Sequence, residues 1–201
     1  MAQVKSILLV GVGGQGTILV SKILTAGLLK AGYDVKMSEI HGMAQRGGSV
    51  STTIRYGEKV YSPVIGLGEA DVLISFEKME AVRWSPYLKP EGIAVINDYE
   101  IAPLPVAIGK AEYPQNTIES MKACFDTRVL PGAELAEKAG NPRTMNVVLL
   151  GALAAAVAAL GWSEGRSALA ALAAVGVYYC VLWLFRHKIE HTIHFSITKN
   201  Y

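Results

Sequence analysis

Cysteine is nearly absent: Cys124 and Cys180 are the two in 201 residues. No CxxC pair occurs, so the chain offers no thiolate set for an iron–sulfur cluster or a structural zinc. Two distant cysteines also make no disulfide framework in a chain of this length. An excess of either charge is missing too, with 19 Lys and Arg against 17 Asp and Glu. These charges are interspersed over the first 165 positions, which argues against the basic stripe of a nucleic-acid binder. The opening MAQVKSILLVGVGG carries no secretory leader pattern, because its apolar run ends in glycines rather than in a cleavage site; the expected compartment is the cytoplasm. The excess lies in apolar residues, at 51% with a mean hydropathy of +0.31, much of it after Thr144.

Glycine is plentiful, with 20 residues, and two clusters stand about thirty positions apart. The first is ILLVGVGGQGT, with Gly11, Gly13, Gly14 and Gly16 around Gln15. The second is SEIHGMAQRGGSV, with Gly42, Gly47 and Gly48 around Gln45 and Arg46, preceded by His41.

The surrounding pattern predicts a single mixed α/β domain. Val4 to Val10 reads as a buried strand. Thr17 to Ala31 repeats apolar residues at helical spacing (Ile18, Leu19, Ile23, Leu24, Leu28, Leu29), and Gly32 falls where a helix ends. Asp34 to Ile40 reads as a second strand, completing a Rossmann-like βαβ unit. SVSTTIRYG and EKVYSPVIG, joined at Tyr56-Gly57-Glu58, alternate and predict an inserted antiparallel β-hairpin. Ala70 to Phe76 and Gly92 to Asn97 read as strands, with a helix from about Glu77 to Leu88 between them. Ala102 to Pro114, rich in proline, has room for one edge strand. Thr127 to Pro131 is strand-like, Gly132 to Ala139 is helical up to Gly140, and Asn141 to Leu160 predicts a strongly apolar helix.

The first glycine cluster satisfies GxGxxG, a spacing with a physical logic. One glycine permits the turn, one admits a pyrophosphate, one lets helix pack on strand, and the helix start favours an anion. Glu39 lies about 20 residues on, where a ribose-binding acid belongs. GVGGQG also fits the GxGGxG of adenylating enzymes, without a matching downstream set. Dinucleotide (NAD or FAD), ATP and a purely structural strand–helix junction all remain open on these residues alone.

The second cluster shifts the balance, with a stand-alone nucleotide-binding protein (NAD, FAD or ATP) kept as the alternative. Paired glycines let backbone approach a partner closely, and Arg suits a carboxylate or phosphate. GVGGQG with EIHGMAQRGG, the hairpin that follows and AGNPRTMNVVLLGALA (Ala139 to Ala154) resembles the gamma-type domain of 2-oxoacid:ferredoxin oxidoreductases, in particular the small subunit of the indolepyruvate type. The resemblance covers about residues 1–165. It implies oxidative decarboxylation of a 2-oxoacid to an acyl-CoA, with ferredoxin as acceptor and CoA as co-substrate. Thiamine diphosphate and magnesium supply the carbanion chemistry in that family, and iron–sulfur clusters take the electrons singly. This chain has no GDG with an asparagine pair for thiamine and too few cysteines for a cluster. The resemblance therefore implies a larger partner subunit that carries every cofactor, with this chain shaping the entrance for CoA or oxoacid. Gly11, Gly13, Gly14, Gln15, Gly16, His41, Gly42, Gln45, Arg46, Gly47 and Gly48 are the candidate contacts. Arg46 is the anion binder, with His41 and Gln45 as polar positioners. No catalytic residue and no metal ligand is assigned; Asn141, Arg143 and Asn146 are weaker candidates, and Asn141 also reads as an N-cap.

Beyond Gly165 the resemblance fades, and residues 166–201 form an atypical tail. Ala168 to Phe185 is an uncharged run of 18, the lower edge of membrane-spanning length. A bilayer hairpin with Val147 to Trp162 is weighed against a buried helix pair, and the latter is favoured. The abrupt change of character also suggests an altered reading frame. A shifted frame in the encoding DNA that fails to restore a charged helix would remove that idea. His187, His191 and His194 share one helical face beside Glu190; a solvated or packed face is favoured over a zinc site there.

Overall fold

The computed structural model of the chain describes residues 4–41 and 47–159. The apolar run of the tail, its histidine face, Cys180 and the reading-frame question lie outside these residues.

Six strands form one mixed sheet: β1 (Lys5–Val12), β2 (Asp34–His41), β3 (Ser49–Gly57), β4 (Ala70–Ser75), β5 (Leu88–Asn97) and β6 (Asp126–Leu130). Their order is β2-β3-β1-β4-β5-β6. β1, β4, β5 and β6 run parallel, whereas β3 is antiparallel to both β1 and β2. The helices are α1 (Thr17–Lys30), α2 (Lys78–Trp84), α3 (Leu104–Ala107), α4 (Thr117–Cys124), α5 (Gly132–Lys138) and α6 (Met145–Ala159).

Strand pleating divides the core in two, because successive side chains point to opposite faces. On one face Ile7, Leu9, Ile54, Val72, Ile74 and Val95 pack against Val20, Leu24 and Leu28 of α1 and against Leu149 and Leu153 of α6. On the other, Leu8, Val10, Leu73, Ala94 and Ile96 meet Ala81 of α2 and Met121 of α4. Each large apolar side chain buried this way contributes roughly 1.5–3 kcal/mol. The central strands are covered on both faces, which explains why they read as unbroken apolar runs. α1 keeps its predicted span, and the Gly32 N–H closes it on the Leu29 carbonyl at 3.0 Å. Ile18, Leu19 and Leu29, however, face outward at 44%, 49% and 55% exposure.

Two expectations need correction, the hairpin partner and the edge strand, and two features were not anticipated. The hairpin pairs β3 with β2, His41 opposite Val50, and EKVYSPVIG forms no strand. That segment is held instead by the Val60 N–H on Asp34 (2.9 Å) and by Arg55 on the Val64 carbonyl (2.9 Å); Pro63 has no N–H to offer a ladder. The predicted βαβ unit forms, with β3 inserted between β1 and β2. Residues 102–114 supply no edge strand: Pro103 caps the short α3 and Pro105 sits in its first turn, where no helical N–H partner is needed. The edge belongs to β6. Finally, α4 was not anticipated, because eight residues with two buried side chains give almost no periodic signal.

At the helix ends the residues behave as their types suggest. Pro86 ends α2 in a 3₁₀ turn, short of the expected Leu88. Asn141 caps a 3₁₀ turn before α6, accepting from the Arg143 N–H at 2.8 Å. Among the described residues no helix is long and apolar enough to cross a membrane.

Candidate functional site

The first glycine cluster turns the chain from β1 into α1 at the carboxyl end of the sheet. Gln15 holds that turn from inside: its Oε1 accepts from the Val12 N–H and its Nε2 donates to the Phe76 carbonyl, both at 2.8 Å. Asn97, wholly buried at the end of β5, donates to the same carbonyl at 3.1 Å and accepts from the Gly132 N–H at 3.0 Å. The ends of β1, β4 and β5 and the start of α5 are thereby tied to one carbonyl oxygen.

Two of the glycines are required by this packing. A Cβ on Gly11 would lie 2.9 Å from both Phe76 Cβ and Gln15 Oε1. Gly16 begins α1 at φ 82°, a backbone conformation costly for other residues, and a Cβ there would meet Asn146 Nδ2 of α6 at 2.5 Å. Asn146 thus packs over the start of α1.

The second glycine cluster is laced to the first through backbone. The Gly13 N–H donates to the Gly48 carbonyl at 2.9 Å, and the Gly47 N–H donates to the Gly13 carbonyl at 3.3 Å. Gly42, Gln45 and Arg46 fall outside the described residues, but the stems on either side are placed. His41 ends β2 as an exposed residue, and Gly47 and Gly48 lead into β3.

Between the first glycine turn and the ends of β2 and β3 lies a cleft of about 330 Å³. Gly13, Gly14, Gly16 and Thr17 line one side, and Glu39, His41, Val50 and Thr52 line the other. The register sets the second wall: Glu39 is opposite Thr52 and His41 opposite Val50, so all four share a sheet face. α1 has neither a side-chain cap nor an acid in its first turn, which leaves the positive end of its dipole towards the cleft. Glu39 is held at the opposite wall by the Ser21 hydroxyl at 3.0 Å. Of the predicted contacts, Gly13, Gly14, Gly16 and His41 line this cleft, whereas Gly11 is buried beneath it and Gln15 turns its amide into the fold.

This geometry weakens the dinucleotide reading. The N–H of the second fingerprint glycine, Gly13, is already bonded to Gly48. The interposed β3 also moves Glu39 one strand spacing, about 4.8 Å, further from the glycine turn than in an adjacent βαβ pair.

Sequence reasoning missed a group of buried polar residues behind the turn. Glu77 is fully buried and caps α2, accepting from the Glu80 N–H (2.9 Å), the Ile101 N–H (3.3 Å) and the Tyr113 hydroxyl. Burial, and then the carboxylate of Glu77, raise the Tyr113 hydroxyl above the ordinary tyrosine value. Glu80, 2% exposed, accepts from Ser49 Oγ and pairs with Arg83 Nε at 3.0 Å. The signal available for Glu77 was an acid just ahead of an amphipathic segment, a capping position.

Cys124 is the free cysteine among the described residues and is exposed. Among those residues no group of three or more His, Cys, Asp and Glu converges to hold a metal ion.

The family model described as pyruvate ferredoxin/flavodoxin oxidoreductase matches residues 6–174. The indolepyruvate oxidoreductase subunit IorB of Thermococcus kodakarensis is 42% identical over 154 residues, covering 74% of this chain and 75% of the relative. Two solved structures share the fold at 19% identity. The gamma subunit of a keto/oxoacid ferredoxin oxidoreductase from Geobacter sulfurreducens superposes with a TM-score of 0.52, over 86% of this chain and 95% of that one. A 2-oxoglutarate:ferredoxin oxidoreductase from Magnetococcus marinus, bound to 2-oxoglutarate, coenzyme A and succinyl-CoA, gives 0.57 over 90% of this chain and 31% of that one. A glycine turn laced to a second glycine loop, in a chain matched by that family model over most of its length, identifies a member of the pyruvate ferredoxin/flavodoxin oxidoreductase family.

Proposed function

We propose that this chain is the small subunit of an indolepyruvate-type 2-oxoacid:ferredoxin oxidoreductase of the cytoplasm. The assembly converts an arylpyruvate, CoA and two oxidised ferredoxins into an arylacetyl-CoA, carbon dioxide, two reduced ferredoxins and a proton. Thiamine diphosphate, magnesium and iron–sulfur clusters belong to a larger partner subunit, since this chain has two cysteines and no converging donor set among its described residues. The role of this chain is to complete the assembly and to shape the entrance for CoA or the oxoacid.

The observation that carries this reading is the backbone lacing of Gly13 to Gly47 and Gly48. It fixes Gly13 on the wall of a preformed cleft with a helix N-terminus on one side, where Glu39 is engaged by the Ser21 hydroxyl. Such a site binds and orients; it does not perform chemistry alone. Arg46, in the segment that follows His41 in the sequence, suits a CoA phosphate or an oxoacid carboxylate.

Co-expression with the large subunit tests the assignment. Reduction of ferredoxin or of a viologen dye by indolepyruvate and CoA is expected to require both chains. Full turnover by the large subunit alone, or failure of the two chains to co-purify, would overturn it. Stabilisation of the isolated chain by NAD, FAD or ATP, with none by CoA, would favour a nucleotide-binding role instead.

A further inference from the structure

We infer that Glu80 is a positioning residue: through Ser49 it holds Gly47 and Gly48 against Gly13 and so fixes the outline of the glycine cleft. Glu80 lies on α2, beside the opposite sheet face from the cleft, and is 2% exposed. One carboxylate oxygen takes Arg83 Nε from the next turn of the helix, at 3.0 Å. The other accepts from Ser49 Oγ, the first residue of β3. The Trp84 indole N–H reaches the same hydroxyl at 3.5 Å. Ser49 follows Gly48 directly, and the Gly48 carbonyl is the acceptor for the Gly13 N–H.

Charge compensation alone does not account for this arrangement. An apolar residue at position 80 would fill the same space without the cost of desolvating a carboxylate. What the carboxylate adds is a charge-assisted hydrogen bond to the stem of the second glycine cluster. α2 is itself fixed for the purpose, because the Glu80 N–H is held by the buried carboxylate of Glu77. The latch therefore runs from a rigid helix, through one hydroxyl, to the backbone contacts of Gly13, which lines the cleft.

Amide hydrogen exchange of the full chain, followed by NMR, tests the latch. Ser49→Ala is expected to speed exchange at Gly13 and Gly47 by about tenfold or more, the factor for losing a hydrogen bond to a charged group, while β4 and β5 keep their protection. Glu80→Ala is expected to do the same; where it fails to fold, Ser49→Ala decides alone. Unchanged exchange at both glycines in Ser49→Ala overturns the proposal. So does an equal acceleration across β4 and β5, which reports global destabilisation rather than a local latch.

The effect on turnover rests on the subunit reading above. In the reconstituted assembly, Ser49→Ala is expected to raise KM for CoA or for indolepyruvate about threefold or more, with kcat within about twofold. Unchanged KM values beside accelerated exchange would overturn the positioning role. Absence of turnover with the unmodified chain would sink the subunit reading and leave the exchange result to judge the latch.

Discussion

Gln15 and Phe76, 61 positions apart, meet across the first glycine turn, the Gln15 amide donating to the Phe76 carbonyl at 2.8 Å. The same side chain accepts from the Val12 N–H, so one residue joins the ends of two neighbouring parallel strands. Gln15→Ala removes both bonds and leaves a partly buried N–H without its acceptor. The expected loss is about 2 kcal/mol, read as a lower denaturant midpoint at unchanged m value. Gln15→Glu keeps the acceptor for Val12 but sets a carboxylate against the Phe76 carbonyl, and is expected to be no more stable than the alanine variant.

Gly16→Ala meets two obstacles, a left-handed backbone and Asn146. The first costs roughly 1–2 kcal/mol, and the contact adds to it. Adding Asn146→Ala is expected to recover the steric part alone, so the double-mutant cycle has a non-zero coupling. Strict additivity in denaturation measurements would mean that the two residues do not touch.

Tyr113 makes stability fall with rising pH. Its folded-state value lies above the ordinary 10.0, so the folded form holds the proton more tightly than the unfolded chain. That contribution is complete below about pH 10 and is lost as pH climbs through the folded value. Burial raises Tyr56 as well, with the same sign. Tyr113→Phe is expected to shallow the alkaline decline in denaturant midpoint without abolishing it, and to lower stability at neutral pH by removing a donor from Glu77. An unchanged alkaline slope would assign the decline elsewhere.

Arg46→Ala tests the anion role within the assembly. Removing a guanidinium that contacts a phosphate or carboxylate is expected to raise KM for CoA or for indolepyruvate about tenfold, with Lys restoring part of it as a point charge. Equal KM values for both substrates in the alanine variant would remove Arg46 from the site.

Much of the fold was legible because long buried strands and α1 carry strong periodic signals. The strand order was not. SVSTTIRYG alternates regardless of which neighbour it pairs with, so its true partners β2 and β1 are invisible in its own residues. EKVYSPVIG carries the same β-branched composition, yet it is held by Asp34 and Arg55 through bonds that depend on distant chain. At the site, the two glycine clusters announced themselves, and Asn141 behaved as the cap its type suggests. Gln15 gave no hint of its inward role, because a glutamine in a glycine turn looks the same whether its amide faces solvent or a carbonyl. Glu80 was hidden for a related reason: its partner Ser49 is 31 positions away, and neither residue belongs to a recognisable motif.

The contacts between the glycine clusters are main chain to main chain, so they are indifferent to the side chains carried by the segment between His41 and Gly47. Frame and lettering are separable there. The side chains at residues 42–46 can be exchanged without touching these bonds, so β2 and β3 are expected to keep their register. A graft of this short stretch from a relative is then expected to leave both bonds between Gly13 and the Gly47–Gly48 pair in place.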